Sequence, residues 1–308
     1  MPRPVHFGLA LFYHASPHPA PLLSLAACVA ASTVISLIFA YFQRFGVRNL
    51  PAIVVNYFVC VACGVVFEGG LPLGAATLGE PWLPLALVLG FFFIGGFNLN
   101  ALCVQRAGVA VTSVVQRISL LLSVGFAVLY YDEPLGWRQG IGVLLGVAAV
   151  VLTVRFERSA AQGSRRGVWV LPLAVFLVAG AIESLLTVAQ RSFGAGGDVS
   201  FTVGLFLWAG TLGLVYAVVR PPADGSPRFR WRDVVGGIAL GIPNFFSIHL
   251  ILVALDGGLD ASTVFPVLNV STIVLSALLA LLLFGQRLSP KQWAGVAVAA
   301  VAIALLVG

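Results

Sequence analysis

The residues of this chain that could do chemistry are few, and most stand among apolar neighbours. Arg117 lies in Ser113-Val-Val-Gln116-Arg117-Ile-Ser119, near the start of a long hydrophobic run. A guanidinium in hydrocarbon costs at least about 3 kcal/mol on insertion scales. An acidic partner, backbone carbonyls, a wet cavity or an anionic substrate must offset that cost, unless the side chain snorkels to a nearby interface. Ser113, Gln116 and Arg117 share one face of a helix, and that face is polar, as a cavity wall would be. Glu183 is the only acid well inside an apolar run. A buried carboxylate must be paired or protonated. It reads either as the counter-ion of Arg117 or as a proton-coupling acid that releases its proton when a cavity opens to the other side. A protonated acid bonded to a neighbouring helix is the structural alternative. Placed by residue count, the two charges differ in depth by about half a span, on the order of 10 Å at 1.5 Å per residue.

Neutral polar groups form a second tier. Asn56, Asn98, Asn100, Asn244, Asn269 and His249 all fall within apolar runs. They could hold amino, carboxyl or hydroxyl groups of a ligand, or join helices at about 0.6 kcal/mol per bond. Asn98 and Asn100 lie about 200° apart on a helix, so at most one faces a cavity. Trp208 is inside a run, whereas Trp82, Trp137, Trp169, Trp231 and Trp293 lie at run ends, as an interfacial belt does. The candidate substrate-binding set is Arg117, Gln116, Ser113, Asn98, Asn56, Asn244, His249, Asn269 and Trp208, with Glu183 as the candidate proton-coupling residue. Cys60-x-x-Cys63 has metal-ligand spacing but no second ligand pair. With Cys28 and Cys103 these thiols read as small buried hydrophobes, and neither a metal nor a cofactor is expected. Gly-x-Ser-x-Gly, His-Glu-x-x-His and a phosphate-binding glycine-lysine loop are missing. The chain is therefore not expected to be an enzyme, and transport would draw on a gradient, not on ATP.

The elements that carry these residues follow from composition. Of 308 residues, 60% are hydrophobic and only 9% charged, with a mean hydropathy of +1.04. Soluble domains run near ~25% charged, so a soluble enzyme, a disordered chain and a nucleic-acid reader are excluded. The net charge of +6 reads as membrane-flanking arginine and not as a nucleic-acid patch. A span needs about 20 residues. Ten long apolar runs predict ten helices, at 22–42, 50–67, 83–104, 110–131, 137–154, 168–190, 200–219, 233–254, 261–284 and 291–307. Residues 1–21 read as a proline-rich, disordered tail and 155–167 as a polar linker. Gly136-x3-Gly140 and Gly142-x3-Gly146 in the fifth run suggest close helix packing or a dimer contact. A monomer and a homodimer both stay open.

The runs repeat in two sets of five, over 22–154 and 168–308. Gln43-Arg44-Phe-Gly46 closes the first run, and Gln190-Arg191-Ser-Phe-Gly194 closes the sixth. Gly108-Val-Ala-Val-Thr112-Ser113 opens the fourth, and Gly258-Leu-Asp-Ala-Ser262-Thr263 opens the ninth. Glu133-Pro-Leu-Gly-Trp-Arg-Gln139 introduces the fifth, and Gln286-Arg-Leu-Ser-Pro-Lys-Gln292 the tenth. Five is odd, so the second unit enters the membrane from the opposite face. Inverted repeats of this kind place a transporter's site near the midplane between the halves.

The junctions Leu129-Tyr-Tyr-Asp132-Glu133-Pro-Leu and Leu283-Phe-Gly285-Gln286-Arg-Leu-Ser, with Pro266, carry a family likeness. The chain resembles the drug/metabolite transporter superfamily, specifically the EamA-type ten-helix exporters. That pattern has a glycine and a glutamate followed by leucine. Here Asp132 replaces the glycine in the first half, Gln286 replaces the glutamate in the second, and Gln116 stands where the second half has Pro266. The resemblance implies an exporter of a small polar or amphipathic metabolite such as an amino acid; with the inverted halves, the chain reads as an inner (plasma) membrane secondary transporter working by alternating access, and proton coupling through Glu183 is a hypothesis beside it. The alternatives are a flippase for lipid-linked substrates and a non-transporting sensor or assembly subunit. Thirteen of the 17 lysines and arginines fall in loops on one face. The positive-inside rule puts that face in the cytoplasm and both termini outside, whereas the resemblance implies termini inside.

Overall fold

A computed structural model describes residues 19–107, 109–154, 170–195, 199–220, 227–284 and 288–307. The expected tail and linker lie outside the described residues, apart from 19–21, which open the first helix; Gly285 and Gln286 also lie outside. The elements are α1 (Pro19–Phe45), α2 (Asn49–Glu68), α3 (Leu83–Ala107), α4 (Val109–Ile118), α5 (Leu120–Tyr131), α6 (Trp137–Thr153), α7 (Val170–Phe193), α8 (Val199–Val219), α9 (Trp231–Asp256), α10 (Ala261–Phe284) and α11 (Pro290–Val307), with a short 3-10 turn at Ala75–Gly79. In hydrocarbon a backbone must satisfy its own hydrogen bonds, and helices do this within one segment. α4 and α5 together make one span, interrupted at Ser119; among the described residues nine segments are long and apolar enough to cross a membrane, and the shorter apolar α6 stands where the fifth run predicts a helix. The protein is an all-α, multi-pass membrane protein.

The contacts between helices fall into exchangeable pairs. α1 and α2 both pack on α9, and α7 and α8 both pack on α3. Exchanging the first five spans for the last five turns the α2–α9 contact into α8–α3, and α1–α9 into α7–α3. α2 on α8, α5 on α10 and α6 on α11 map onto themselves. Gly142 near the start of α6 meets Leu306 at the end of α11, and Gly295 near the start of α11 meets Thr153 at the end of α6. These equivalent helices are thus antiparallel, which is consistent with an inverted five-span repeat. Gln139 and Gln292 occupy the same register in α6 and α11, and each Oε1 accepts a loop N–H at 2.9 Å, from Gly136 and Ser289.

Lipid tails are as apolar as leucine, so spans associate through tight packing at small residues. A Cβ on Gly241 of α9 would stand 2.5 Å from Val59 of α2, and one on Gly90 of α3 would stand 2.8 Å from Trp208 of α8. Gly142 and Gly146 are also spent within the chain, on α11 and α10. At one membrane face the loop before α2 is tied to the start of α9. Arg48 sends Nε and Nη2 to Asp233 Oδ2 at 3.0 and 2.6 Å, while its backbone N–H reaches Oδ1 at 2.8 Å. Arg230 returns the tie by donating to the carbonyl of Gly46 at 3.0 Å.

Gly237 meets backbone in the α2–α9 seam: its Cβ would lie 2.5 Å from the Ala52 carbonyl oxygen, which cannot move without breaking α2. Gly237→Ala is expected to cost about 1–3 kcal/mol, read as a lower unfolding temperature in detergent. Gly140→Ala, at a position with nothing within 4 Å, serves as the neutral control.

Candidate functional site

Glu183 sits in the second half of α7, and its carboxylate is held from two sides. Ser123 of α5 places Oγ 2.7 Å from Oε2. Asn269 of α10 donates Nδ2 to Oε1 at 2.8 Å. The same amide also donates to the Phe265 carbonyl at 3.1 Å, and its Oδ1 accepts Arg117 Nη1 at 3.1 Å. Arginine can only donate and a carboxylate can only accept, so an asparagine is the residue type that joins them: its oxygen turns to one and its nitrogen to the other. Arg117 and Glu183 are therefore linked through Asn269 and not by direct contact. Arg117 closes the last turn of α4 immediately before the interruption at Ser119, where Ser119 Oγ donates to the Gln116 carbonyl at 2.6 Å.

Arg117, Glu183 and Asn269 line a cavity of about 180 Å³ between the halves, with Gln116, Asn100, Gly96, Val178, Ile182 and Leu268 among the other walls. α3 and α4 come from the first five spans, α7 and α10 from the last five. Asn100 Oδ1 is buried without a hydrogen-bond partner among the described residues. The Ser123 hydroxyl also stands 3.0 Å from the Leu120 carbonyl. It can donate to an ionised Glu183, or accept from a protonated one while donating to Leu120, so the site accommodates either charge state.

Of the candidates from sequence, the structure brings Arg117, Gln116, Asn269 and Glu183 to this cavity. Ser113 is half-buried one turn earlier on α4 and is not among the lining residues. Asn98 turns away, donating to the Ile94 carbonyl of its own helix at 2.8 Å; Asn100 is the asparagine of that pair on the cavity side. Asn56 and Asn244 meet at Cys60, whose Sγ lies 3.8 Å from Asn56 Oδ1 and 3.6 Å from Asn244 Nδ2, in the α2–α9 seam. His249 stacks on Phe245 at 5.7 Å with Phe67 edge-on at 5.1 Å. Trp208 packs over Gly90. Ser123 was missed by sequence reasoning. It lies on the face of the α4–α5 span four residues after Ser119, a spacing that could have marked it.

Residues 21–155 match the EamA-like transporter family. A Haemophilus influenzae protein described as uncharacterized is 28% identical over 220 residues, 69% of this chain and 71% of its own length. A solved crystal structure shares the fold at a TM-score of 0.75 and 19% identity, covering 94% of this chain and 96% of that one. The EamA-like junction after α5 now has a physical reading. Asp132 has φ of 51°, the left-handed conformation that glycine adopts without strain and aspartate tolerates. Among the described residues it is the one non-glycine in that region. The turn delivers Glu133, 4% exposed, to the first turn of α10. There it accepts the N–H groups of Ala261 and Ser262 at 3.2 and 3.0 Å and Arg191 Nη2 at 2.7 Å. Glu133 thus serves a helix N-terminus whose donors have no partner within the helix.

Asp260 lies beside this cluster, 3.6 Å from Arg191. Burial, then repulsion from Glu133, holds its carboxyl above the ordinary value, against the pull of Arg191. A raised pKa contributes stability below the ordinary carboxylate range that is lost as pH rises through the raised value. Asp260→Asn is expected to raise the unfolding temperature at pH 7 and leave it unchanged near pH 3. Asn269→Leu strips both charges of their bridge and is expected to cost about 1–3 kcal/mol. In an Arg117→Met, Glu183→Gln background the same substitution should cost far less, and the difference is the coupling.

Proposed function

We propose that this chain is a secondary transporter of a small polar or amphipathic solute, amino-acid-like in size and charge, in the plasma membrane. The single observation that carries this reading is a polar cavity built by both halves, holding one cation and one acid at a common locus. Arg117 would take the solute's carboxylate, with Gln116 and Asn100 as neutral contacts. Asn269 is the group the solute displaces or shares. Glu183 would carry a proton, since Ser123 suits both of its charge states. Alternating access between two inverted halves would then expose this locus to each side in turn. The match of residues 21–155 to the EamA-like transporter family supports transport in general; substrate, direction and coupling rest on the cavity's chemistry.

Counterflow in proteoliposomes tests this reading, because exchange needs no driving force. Vesicles preloaded with single amino acids should accumulate the labelled partner. Arg117→Ala should weaken apparent affinity for a carboxylate solute by about tenfold to a hundredfold, as losing a hydrogen bond to a charged group does. Glu183→Gln should retain counterflow yet lose accumulation driven by a pH gradient. Full pH-driven uptake by Glu183→Gln would remove the proton role. Unchanged affinity in Arg117→Ala would remove the carboxylate role, and flux of none of the amino acids would turn attention to lipid-linked solutes.

A further inference from the structure

A second, larger concavity lies away from the solute site. Between α1 and α9, on the arginine-rich side of the membrane, runs a groove of about 790 Å³, over four times the central cavity. Two apolar stripes at helical spacing form its walls, Ile38 and Phe42 on α1 and Val235 and Ala239 on α9. Each stripe advances about 6 Å into the hydrocarbon per four residues. At the mouth stand Arg44 and Arg232, with the Arg232 guanidinium 5.6 Å from the Trp231 ring centroid. Among the described residues neither arginine makes an ion pair. The nearest acid in sequence, Asp233, is fully buried and already holds Arg48 and Arg230. The mouth therefore presents uncompensated positive charge at the headgroup level, and the slot below it is too apolar for a hydrated solute.

We propose that this groove binds one anionic phospholipid. Its phosphate lies against Arg44 and Arg232, Trp231 packs at the glycerol level, and one acyl chain fills the slot between α1 and α9. Basic pockets between spans at the membrane surface recognise anionic headgroups in this way, and aromatic rings prefer the same depth. A zwitterionic lipid would bring its own ammonium beside two guanidinium groups, so the pair selects for net negative charge. α1 belongs to the first five spans and α9 to the last five, so the lipid bridges the halves without entering the solute cavity.

Native mass spectrometry of the delipidated full chain, with thermal shift as a second readout, tests this. The probes are phosphatidylglycerol, phosphatidylcholine of the same acyl chains, and glycerol phosphate. One phosphatidylglycerol should stay bound and raise the unfolding temperature under conditions that release phosphatidylcholine. Arg44→Gln with Arg232→Gln should weaken that binding about thirtyfold, at roughly a factor of five per basic residue. Ala239→Phe, which fills the slot and leaves the charge intact, should also abolish it. Arg138→Gln, which alters the same pair of residue types over Trp137 elsewhere on the surface, should change nothing. Equal retention of both lipids would overturn the proposal, as would an undiminished phosphatidylglycerol preference in the double variant. Stabilisation by glycerol phosphate equal to that by the lipid would also overturn it, showing a free-anion site.

Discussion

Hydrocarbon tolerates neither a lone guanidinium nor a lone carboxylate, and the arrangement of the central helices follows from that intolerance. Arg117 and Glu183 each need a partner, and Asn269 supplies both with one amide. The bridge works only if α4, α7 and α10 hold their rotation and depth within a hydrogen bond's length. Glycines enforce that spacing. A Cβ on Gly180, one turn before Glu183, would lie 2.6 Å from Leu122 of α5, and one on Gly96 would lie 2.8 Å from Val178. α7 is thus drawn tightly between α3 and α5, which is what lets a short carboxylate side chain reach Ser123 and Asn269.

The spans were legible in the sequence because a bilayer reads hydropathy over about 20 residues, and few polar residues interrupt it here. The third run, placed at 83–104, is Leu83–Ala107, and the tenth, placed at 291–307, is Pro290–Val307. The unusual status of Arg117 and Glu183 was equally visible, since charge in an apolar run needs no partner to be conspicuous. Their link was not. Residue counting treats spans as straight rods of equal tilt, whereas α4 ends at Ser119, and the bridging amide lies 152 residues from Arg117. Nor could the sequence separate asparagines that face a cavity from those that join helices. Asn56 and Asn244 look the same in one dimension as Asn269. Only the packing of α2 on α9 shows that the first two meet at Cys60.

The scaffold is duplicated, yet the chemistry is not. With Thr112-Ser113 set against Ser262-Thr263, Gln116 falls opposite Pro266, Arg117 opposite Val267 and Ser119 opposite Asn269. With Gln43 set against Gln190, Glu183 falls opposite Ser36, whose hydroxyl donates to the Ser32 carbonyl of its own helix at 3.0 Å. One half lends the cation and the other the acid and the amide. A two-fold frame therefore encloses a polar, one-sided interior, and a bound solute would meet different groups at its two ends.

The charged ties at the two membrane faces carry a consequence of their own. Arg48 with Asp233 joins the first half to the second on one face, and Glu133 with Arg191 and the start of α10 does the same on the other. Both are fastened at once in this conformation. The halves therefore cannot part on either face without undoing a charge cluster, and the two clusters are unequal in build. One is a forked arginine on a fully buried aspartate; the other is a single guanidinium nitrogen sharing its glutamate with a helix end. If the halves alternate as proposed, that inequality would make the two latches different thresholds in a turnstile: the side whose latch releases more easily would be the side to which the empty protein more often opens.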